Sequence, residues 1–434
     1  MAEHRVEKEQ EREEEVVPER RRDGVVTVVL TADNHLGYAA FGQHPRKREE
    51  RQQNLRRAFQ QATDFAIVQG VDLFIQVGDL FDTTAPDERD RSFVAARLAQ
   101  LKQAGVHTFA LGGVHDTPVE RQTVLHEEVP APQMSYASLG ALHYFPPRQP
   151  GEERELEPVI VDIDGVLVGL CGLGVLAGQE GDPLADLRVQ SEIERATIRL
   201  LLLHAPIEGL SVGSSLLDTR AQVSRASIEQ QTTFRHILAG YHHSHSRTRI
   251  GQTDVIVAGA TQHIDFTSPD EAPGFVFLGL AADGLRWCNH ISVDTLGLRC
   301  LVINTGDLWP EGEAEVEPTD VILERLRPLC ADDVMIQLRL EGELTRRQYH
   351  ELDLTRIRHY GEEHCFALAI DDSALSLLPE QDTFSSEGGG RLSPREELMA
   401  LADEWIAAST DEHEKKALQV TREALLLAMD EIKR

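Results

Sequence analysis

The chain has 434 residues, of which 41% are hydrophobic and 27% are charged, a balance typical of a globular protein with a large core. No apolar run reaches the length of a membrane span and the N-terminus lacks an apolar signal segment, so we expect a soluble cytoplasmic protein with no membrane association. The formal net charge of -30 opposes long-range attraction to nucleic acid. If nucleic acid is the substrate, metal ions or a partner would have to supply much of the positive charge that binds it.

The first predicted strand follows a charged N-terminal arm. Residues 1–23 mix acids and arginines, which is typical of a solvated, disordered segment; a nucleic-acid role for the arginines at 20–22 is the alternative. The β-branched run at 25–30 predicts a strand, and Asp33 and His35 come directly after it. Two residues apart, these side chains can point the same way, and carboxylate and imidazole are good ligands for a divalent transition metal. Alone, this pair is weak evidence.

A second strand, at 71–77, is predicted to be buried on both faces because its residues are mostly apolar. It ends at Gly78 and Asp79, which places one carboxylate at the edge of the sheet where open α/β folds bind ligands. Helical spacing over 47–69 precedes this strand. A second helix at 88–104 and a strand at 106–111 follow it, and that strand ends in His115 and Asp116. The alternation predicts a parallel α/β sheet with polar side chains after each strand.

The middle of the chain reads as further strands joined by irregular segments. Residues 120–156 are rich in proline and predict a long surface insertion, and 180–195 predict a helix. Apolar runs predict a hairpin over 159–170 that turns at Asp164 and Gly165, and a strand over 199–203 that ends at His204. A short strand over 237–239 precedes His243 and His245. Three further strands, over 254–258, 274–280 and 286–293, complete the sheets.

The C-terminal third changes in composition near residue 298. Residues 298–380 predict two small strand–helix–strand units, and 381–392 predict a flexible linker. A capping box at 393–396 opens a pair of amphipathic helices over 393–434, which we interpret as a docking element; packing back onto the same chain is the alternative. The five cysteines are scattered without a CxxC pair, which is typical of a reducing compartment and argues against a cysteine zinc site.

Five strand ends carry metal-binding residue types in the order D-x-H, G-D, H-D, H and H-x-H. This order resembles the calcineurin-like metallophosphoesterase superfamily. Within that superfamily, the stretches DNHLGY and GDLFD resemble the SbcD-type nuclease subunit of the double-strand-break repair complex. The resemblance implies a four-layer α/β/β/α sandwich over 24–297, a small α+β capping domain over 298–380 and a C-terminal helical pair that docks an SbcC-type SMC ATPase. It covers 25–292 by specific motifs and 393–432 by pattern alone.

The resemblance also implies two Mn²⁺ ions per subunit. Asp33, His35, Asp79 and His245 correspond to the ligands of the first ion. Asp79, His204 and His243 correspond to ligands of the second. His115 would stabilise or protonate the leaving oxygen and Asp116 would orient His115. Two-residue spacing selects His243 and His245 from three neighbouring histidines, which leaves His242 as a bystander.

Val114 departs from the superfamily pattern, which has asparagine there as a ligand of the second metal. Valine offers no oxygen donor, so we expect weaker metal binding or slower chemistry. Three interpretations stand open. The chain is a weakened but active enzyme, a structural subunit with a degenerate site, or a subunit in which this replacement disabled catalysis.

Candidate substrate contacts lie beside the predicted metal site. Arg46, Lys47, Arg48 and Arg51 follow the first motif, and Arg247 and Arg249 follow the last. These side chains, together with Tyr38, are candidates for contacts with the substrate, and the basic ones with its backbone phosphates. A solvated face is the alternative. The leading hypothesis is a homodimeric, manganese-dependent DNA exo/endonuclease bound to an SMC-type ATPase. The others are a catalytically weak scaffold and a phosphodiesterase for a non-DNA substrate.

Overall fold

The computed structural model describes most of the chain. The described residues are 24–38, 45–118, 123–124, 127–128, 130–147, 155–185, 187–210, 220–264, 266, 271–309, 317–378 and five single positions at 406, 415, 416, 418 and 422. The charged arm, the predicted linker and nearly all of the predicted helical pair therefore lie outside them. Among the described residues, no helix is long and apolar enough to cross a membrane.

A first six-stranded sheet carries the N-terminal motifs. Its strands, in chain order, are β1 (Val25–Thr31), β2 (Leu73–Val77), β3 (His107–Leu111), β4 (His143–Phe145), β11 (Gly274–Ala281) and β12 (Gly284–Ser292). Their spatial order is β12-β11-β1-β2-β3-β4, with β1 to β4 parallel. The helices that precede β2 and β3 are α1 (Pro45–Gln69) and α2 (Glu88–Gln103), and α3 (Gln133–Ser138) precedes β4.

A second six-stranded sheet carries the histidine motifs. Its strands are β5 (Val159–Ile163), β6 (Val166–Gly174), β7 (Ile198–His204), β8 (His236–Gly240), β9 (Ser246–Ile250) and β10 (Thr253–Val257), and the short helix α4 (Arg225–Gln230) precedes β8. Their spatial order is β9-β10-β8-β7-β6-β5, with β6, β7, β8 and β10 parallel. Parallel strands end at the same edge of a sheet, so His204 and the segment after β8 are brought to one edge.

The two sheets face each other across an apolar layer. Val26, Val28 and Leu30 of β1 point into this layer, which also contains Leu200 and Leu202 of β7. Alternate residues point the other way because the side-chain period of a strand is two, and Val29 packs against the α1 and α2 side of the sheet. A third apolar cluster covers the outer face of the second sheet. The four-layer α/β/β/α arrangement that the resemblance implies is therefore confirmed.

The C-terminal part of the described chain forms a separate small sheet. Its elements are β13 (Gly297–Asn304), α5 (Pro318–Leu326), β14 (Val334–Thr345), α6 (Arg346–Glu351), α7 (Leu354–His364) and β15 (Ala367–Leu378). Ile322, Leu338 and Ile357 belong to its own apolar core. Cys330 and Cys365 are joined as a disulfide in this unit, a pairing that the scattered spacing did not indicate. We call residues 297–378 the small unit.

Three local expectations were wrong. The helix expected over 180–195 is replaced by two-residue strands and a 3₁₀ helix at Ser191–Arg195, because Gly181 adopts a positive φ and Pro183 cannot continue a helix. The expected irregular insertion over 120–156 contains α3 and the edge strand β4. The strand β9 was missed because its sequence, SRTRI, alternates polar and charged residues.

Lys47 joins the small unit to α1. Its Nζ donates to the backbone oxygens of Glu362 at 2.7 Å and Cys365 at 2.8 Å, at the C-terminal end of α7. The last carbonyls of a helix lack partners within the helix and attract cations. Lys47 therefore holds the small unit against the helix that follows the first motif.

We expect Lys47→Met to destabilise the small unit by about 1 kcal/mol, the usual net value of a hydrogen bond. Hydrogen exchange should show faster exchange in β13 to β15 and unchanged exchange in β1 to β3. Lys102→Met is the matched control, since Lys102 Nζ donates to the oxygen of Gly140 at 2.8 Å away from the small unit. Equal protection of β13 to β15 in Lys47→Met and the wild type would contradict this role.

Candidate metal centre

The ends of five strands, β1, β2, β3, β7 and β8, bring carboxylates and imidazoles together. Three groups place their ligand atoms within 4.8 Å of one another: Asp33, His35 and His243; Asp33, Asp79 and His204; and His35, Asp79 and His115. Asp33, His35 and Asp79 are each shared by two groups, as expected for adjacent cation sites. The sequence therefore predicted the convergence, although the grouping differs from the division into two ligand sets that the resemblance implied.

His245 lies outside these three groups. Its Nδ1 is 2.7 Å from the oxygen of Val257, and its ring stacks on His290 at a centroid distance of 4.6 Å. His242 is buried, and its Nε2 accepts a hydrogen bond from the backbone of Ile207 at 2.9 Å, as a structural residue would. The pocket beside His243 and His245 is also lined by His290 and Gln262, neither of which the sequence singled out.

The backbone that carries the candidate ligands is held in an uncommon conformation. Asp33, His35 and Asp79 have φ values of 47°, 44° and 52°, in the left-handed region that non-glycine residues rarely adopt. Backbone hydrogen bonds join the turns, from the nitrogen of Asp33 to the oxygen of Gly78 at 3.1 Å and from His35 to Asp79 at 3.0 Å. Such strain persists only where surrounding contacts enforce it, and it concentrates at functional sites.

Gly78 is required by both its conformation and its neighbours. Its φ is +88°, and a Cβ there would lie 2.0 Å from Nδ1 of His204. Only glycine therefore allows the end of β2 to approach the end of β7. This contact between the two sheets places Oδ2 of Asp79 3.2 Å from Nε2 of His204.

Hydrogen bonds orient the imidazoles toward the centre. Nδ1 of His204 is 2.8 Å from the oxygen of Val77, and a carbonyl can only accept, so Nδ1 carries the proton. Nδ1 of His35 is 3.0 Å from Oδ1 of Asp82. The buried Nε2 atoms of His35 and His204 have no hydrogen-bond partner among the described residues. An imidazole held through one nitrogen, with the other directed inward, is the usual arrangement of a metal ligand, so the residues fit a divalent cation.

The electrostatics of the centre also favour a cation. Burial raises the pKa of Asp33. Burial alone would lower the pKa of His204, but Asp79 and Asp33 outweigh it and raise the pKa to about 9. Burial opposes ionisation of Asp79 as well, yet His204 and His35 hold the pKa of that carboxyl well below its usual range. Carboxylates that are buried together draw positive charge to the site.

Asp116 contacts backbone rather than the ring of His115. Its Oδ2 accepts from the nitrogens of Leu80 at 2.8 Å and Phe81 at 3.2 Å and from the side chain of Gln133, and its Oδ1 accepts from Gly113 at 2.9 Å. Burial, and then the nearby Asp79, raise the pKa of Asp116 to about 6. Asp116 therefore ties the turn after β3 to the turn after β2.

Asp82 is the carboxylate beside His115, and the sequence analysis did not assign it. Its Oδ1 lies 3.8 Å from Nδ1 of His115 and also binds His35. The backbone of His115 donates to Oδ1 of Asp79 at 2.8 Å. The signal was present in GDLFD, because an acid three residues after Asp79 returns to the same edge of the sheet.

Val114 is buried within the apolar cluster on the outer face of the second sheet. Val114 directly precedes His115 in the chain, but its own side chain is hydrocarbon and offers no atom that could bind a metal.

The predicted substrate residues differ in their exposure to solvent and in their contacts. Arg46 is exposed, while Lys47 binds the small unit. Arg51 is completely buried, so it is not available to a phosphate on the surface. Tyr38 donates its hydroxyl to the oxygen of Ile264 at 3.0 Å. Arg247 is half exposed, and its Nη2 lies 3.9 Å from Asp254.

Known proteins resemble the part of the chain that builds this centre. Residues 26–245, half of the chain, match the family described as "Calcineurin-like phosphoesterase". The chain is 24% identical to "DNA double-strand break repair protein Mre11" of Halobacterium salinarum over 73% of this chain and 70% of that protein. It is 26% identical to the protein of the same name from Thermoplasma acidophilum over 57% of this chain and 58% of that protein. A solved dimetal phosphatase from Danio rerio has a TM-score of 0.35 and 13% identity, over 63% of this chain and 100% of that chain.

We expect Asp116→Ala to lower the free energy of unfolding by about 3 kcal/mol, because it leaves several buried backbone donors unpaired. Denaturant unfolding measures this loss. Asp162→Ala is the control, since Asp162 accepts from the backbone of Gly165 at 2.7 Å in an exposed hairpin turn, and its removal should cost less than about 1 kcal/mol. Equal losses in the two variants would contradict the tie between the turns.

Proposed function

We propose a function for a chain that belongs to the calcineurin-like phosphoesterase family: hydrolysis of phosphodiester bonds in DNA by a metal-dependent nuclease that processes DNA ends. The observation that supports it best is the convergence of Asp33, Asp79 and His204 with buried imidazole nitrogens directed inward. The Mre11 relatives, named for double-strand break repair, favour DNA as the substrate.

The ligand set suits two Mn²⁺ ions. Asp33, His35, Asp79, His204, His243 and His245 would hold them, because mixed carboxylate and imidazole donors suit manganese. When bound, a pair of such ions supplies positive charge that stabilises a phosphodiester under attack and favours loss of a proton from water.

The protein groups around the centre have separate tasks. Asp79 belongs to two of the three groups of candidate ligands, and its position after β2 would determine where a phosphate can bind. His115 is partly exposed and would donate a proton to the leaving oxygen, while Asp82 keeps its ring oriented. Arg46 is the exposed cation after the first motif and would contact a neighbouring phosphate.

The remaining parts of the proposal concern assembly. Residues 24–297 would carry the nuclease and 298–380 would cap it. After the linker at 381–392, residues 393–434 would dock an SbcC-type SMC ATPase. The chain would form a homodimer. An ATPase partner would also supply positive charge toward DNA, since the net charge of -30 opposes long-range attraction to it.

Val114 favours a second candidate function, that of a structural subunit with a weakened centre. Val114 packs within an apolar cluster. A valine at the position where the resemblance implies a metal ligand would lower metal affinity without disturbing the fold. The two functions differ in a single measurable property, which is cleavage by the native chain.

We expect Val114→Asn to increase Mn²⁺-dependent cleavage of DNA about tenfold or more, because its amide oxygen adds a metal ligand. Loss of a group that merely orients a ligand already lowers metal affinity or activity by about 10- to 100-fold. Cleavage of single- and double-stranded DNA is measured with Mn²⁺ and with chelator. Val114→Leu is the control, since leucine matches the size of asparagine without its oxygen. Restoration from an inactive native chain supports the structural subunit, whereas equal rates in native and Val114→Asn proteins contradict a limiting role for Val114.

Deletion of 393–434 should abolish binding to an SbcC-type ATPase while the Mn²⁺ content of the protein stays unchanged. The segment is distant in sequence from every proposed ligand, so a loss of binding with full metal content separates docking from catalysis. Co-purification and metal analysis measure the two properties. Undiminished co-purification of the shortened chain would exclude this docking segment.

A further inference from the structure

Arg51 is a buried cation that the proposed mechanism does not use. It lies on α1, and its side chain is completely buried. Its Nη1 donates to Oε1 of Gln262 at 3.1 Å, and its Nη2 donates to the backbone oxygen of His263. Both acceptors are neutral and belong to one loop. Burial of a charged guanidinium costs free energy. The presence of a buried arginine that binds only neutral groups of this loop therefore calls for a physical reason.

That loop, residues 259–264, lies directly against the histidine ligands. The backbone nitrogen of Ala260 donates to the oxygen of His243 at 2.8 Å. A Cβ on Gly259 would lie 2.8 Å from the nitrogen of His245, so the loop and the ligand segment are in close contact. A displacement of the 259–264 loop would therefore move His243 and His245.

The same loop is tied to the first two motifs by buried amides. Nδ2 of Asn34, the residue between Asp33 and His35, donates to Oγ1 of Thr261 at 3.2 Å. Nε2 of Gln76 donates to Oδ1 of Asn34 at 3.2 Å and to the oxygen of Gly78 at 2.7 Å. These bonds connect the turns after β1 and β2 to the loop.

Gln262 extends the network toward the small unit. Its Nε2 donates to the oxygen of Asp294 at 2.8 Å, and its Oε1 also accepts from Thr295 at 2.9 Å. Asp294 and Thr295 directly precede β13. Arg51 thus binds a side chain of the loop that also contacts the segment leading to the small unit.

We propose that Arg51 is a positioning residue of the metal centre, which holds His243 and His245 in place through Gln262 and the 259–264 loop. The inference rests on the proposed metal centre and adds a residue that contacts neither metal nor substrate. Interactions outside the ligand shell commonly change metal affinity by about 10- to 100-fold.

The test uses Mn²⁺ alone and does not depend on DNA cleavage. Calorimetric titration of Arg51→Met should show Mn²⁺ affinity at least tenfold weaker than that of the wild type, and the absorption spectrum of the Co²⁺-loaded protein should change. Arg51→Lys keeps the charge and reaches one acceptor, so it should recover part of the affinity.

Arg97→Met is the matched control. Arg97 is also a buried helical arginine, whose Nε donates to Thr63 at 2.8 Å and whose guanidinium pairs with Asp64, away from the metal centre. It should lose thermal stability as Arg51→Met does while retaining wild-type Mn²⁺ affinity and the wild-type Co²⁺ spectrum. If Arg51→Met does not fold, Arg51→Lys compared with Arg97→Lys gives the same contrast, with weaker Mn²⁺ binding only in the former.

Each outcome is decisive. Unchanged Mn²⁺ affinity and an unchanged Co²⁺ spectrum in the Arg51 variants overturn the inference, whether or not the wild type cuts DNA. Equal losses in the Arg51 and Arg97 variants also overturn it, because they show general destabilisation. A wild type that binds Mn²⁺ without cutting DNA leaves the inference intact and removes the proposed nuclease activity, whereas a wild type that binds no Mn²⁺ removes both.

Discussion

The pair formed by Asp79 and His204 is the interaction on which the rest of the structure depends. Both side chains are buried, come from different sheets and approach to 3.2 Å. A buried carboxylate is tolerated only when positive charge or hydrogen-bond donors compensate for lost hydration. In this chain the imidazole and the backbone of His115 provide that compensation, and they leave the carboxylate placed to bind a cation.

The cost of this arrangement is distributed over the surrounding turns. Asp33, His35 and Asp79 adopt positive φ values, and each such residue is strained by about 1–3 kcal/mol. Asp116 opposes the strain by binding three backbone nitrogens from two turns. The apolar layers between and outside the sheets supply the stability that allows a polar, strained centre at their common edge.

Val114 and the net charge of the chain both limit what its own residues supply to a metal-dependent reaction on an anionic substrate. Valine contributes no oxygen donor, and the formal net charge of -30 opposes long-range attraction to nucleic acid. The contacts of Lys47 and Gln262 connect the small unit to the elements that carry the ligands. A partner that moved the small unit would therefore act on the centre through packed side chains.

Sequence alone determined the motif order, the buried strands and most of the residues that converge at the candidate centre, because parallel strands end at one edge and a polar residue after each strand must lie there. It also identified Val114 as an exception. Tertiary structure decided the partners of those residues. The family resemblance implied that Asp116 orients His115, whereas the fold places Asp82 beside that ring. The position of Arg51 after the first motif suggested a surface cation, and the fold buries it. Local spacing limits where a side chain can point, whereas its neighbours come from strands and loops distant in sequence, which only the folded chain brings together.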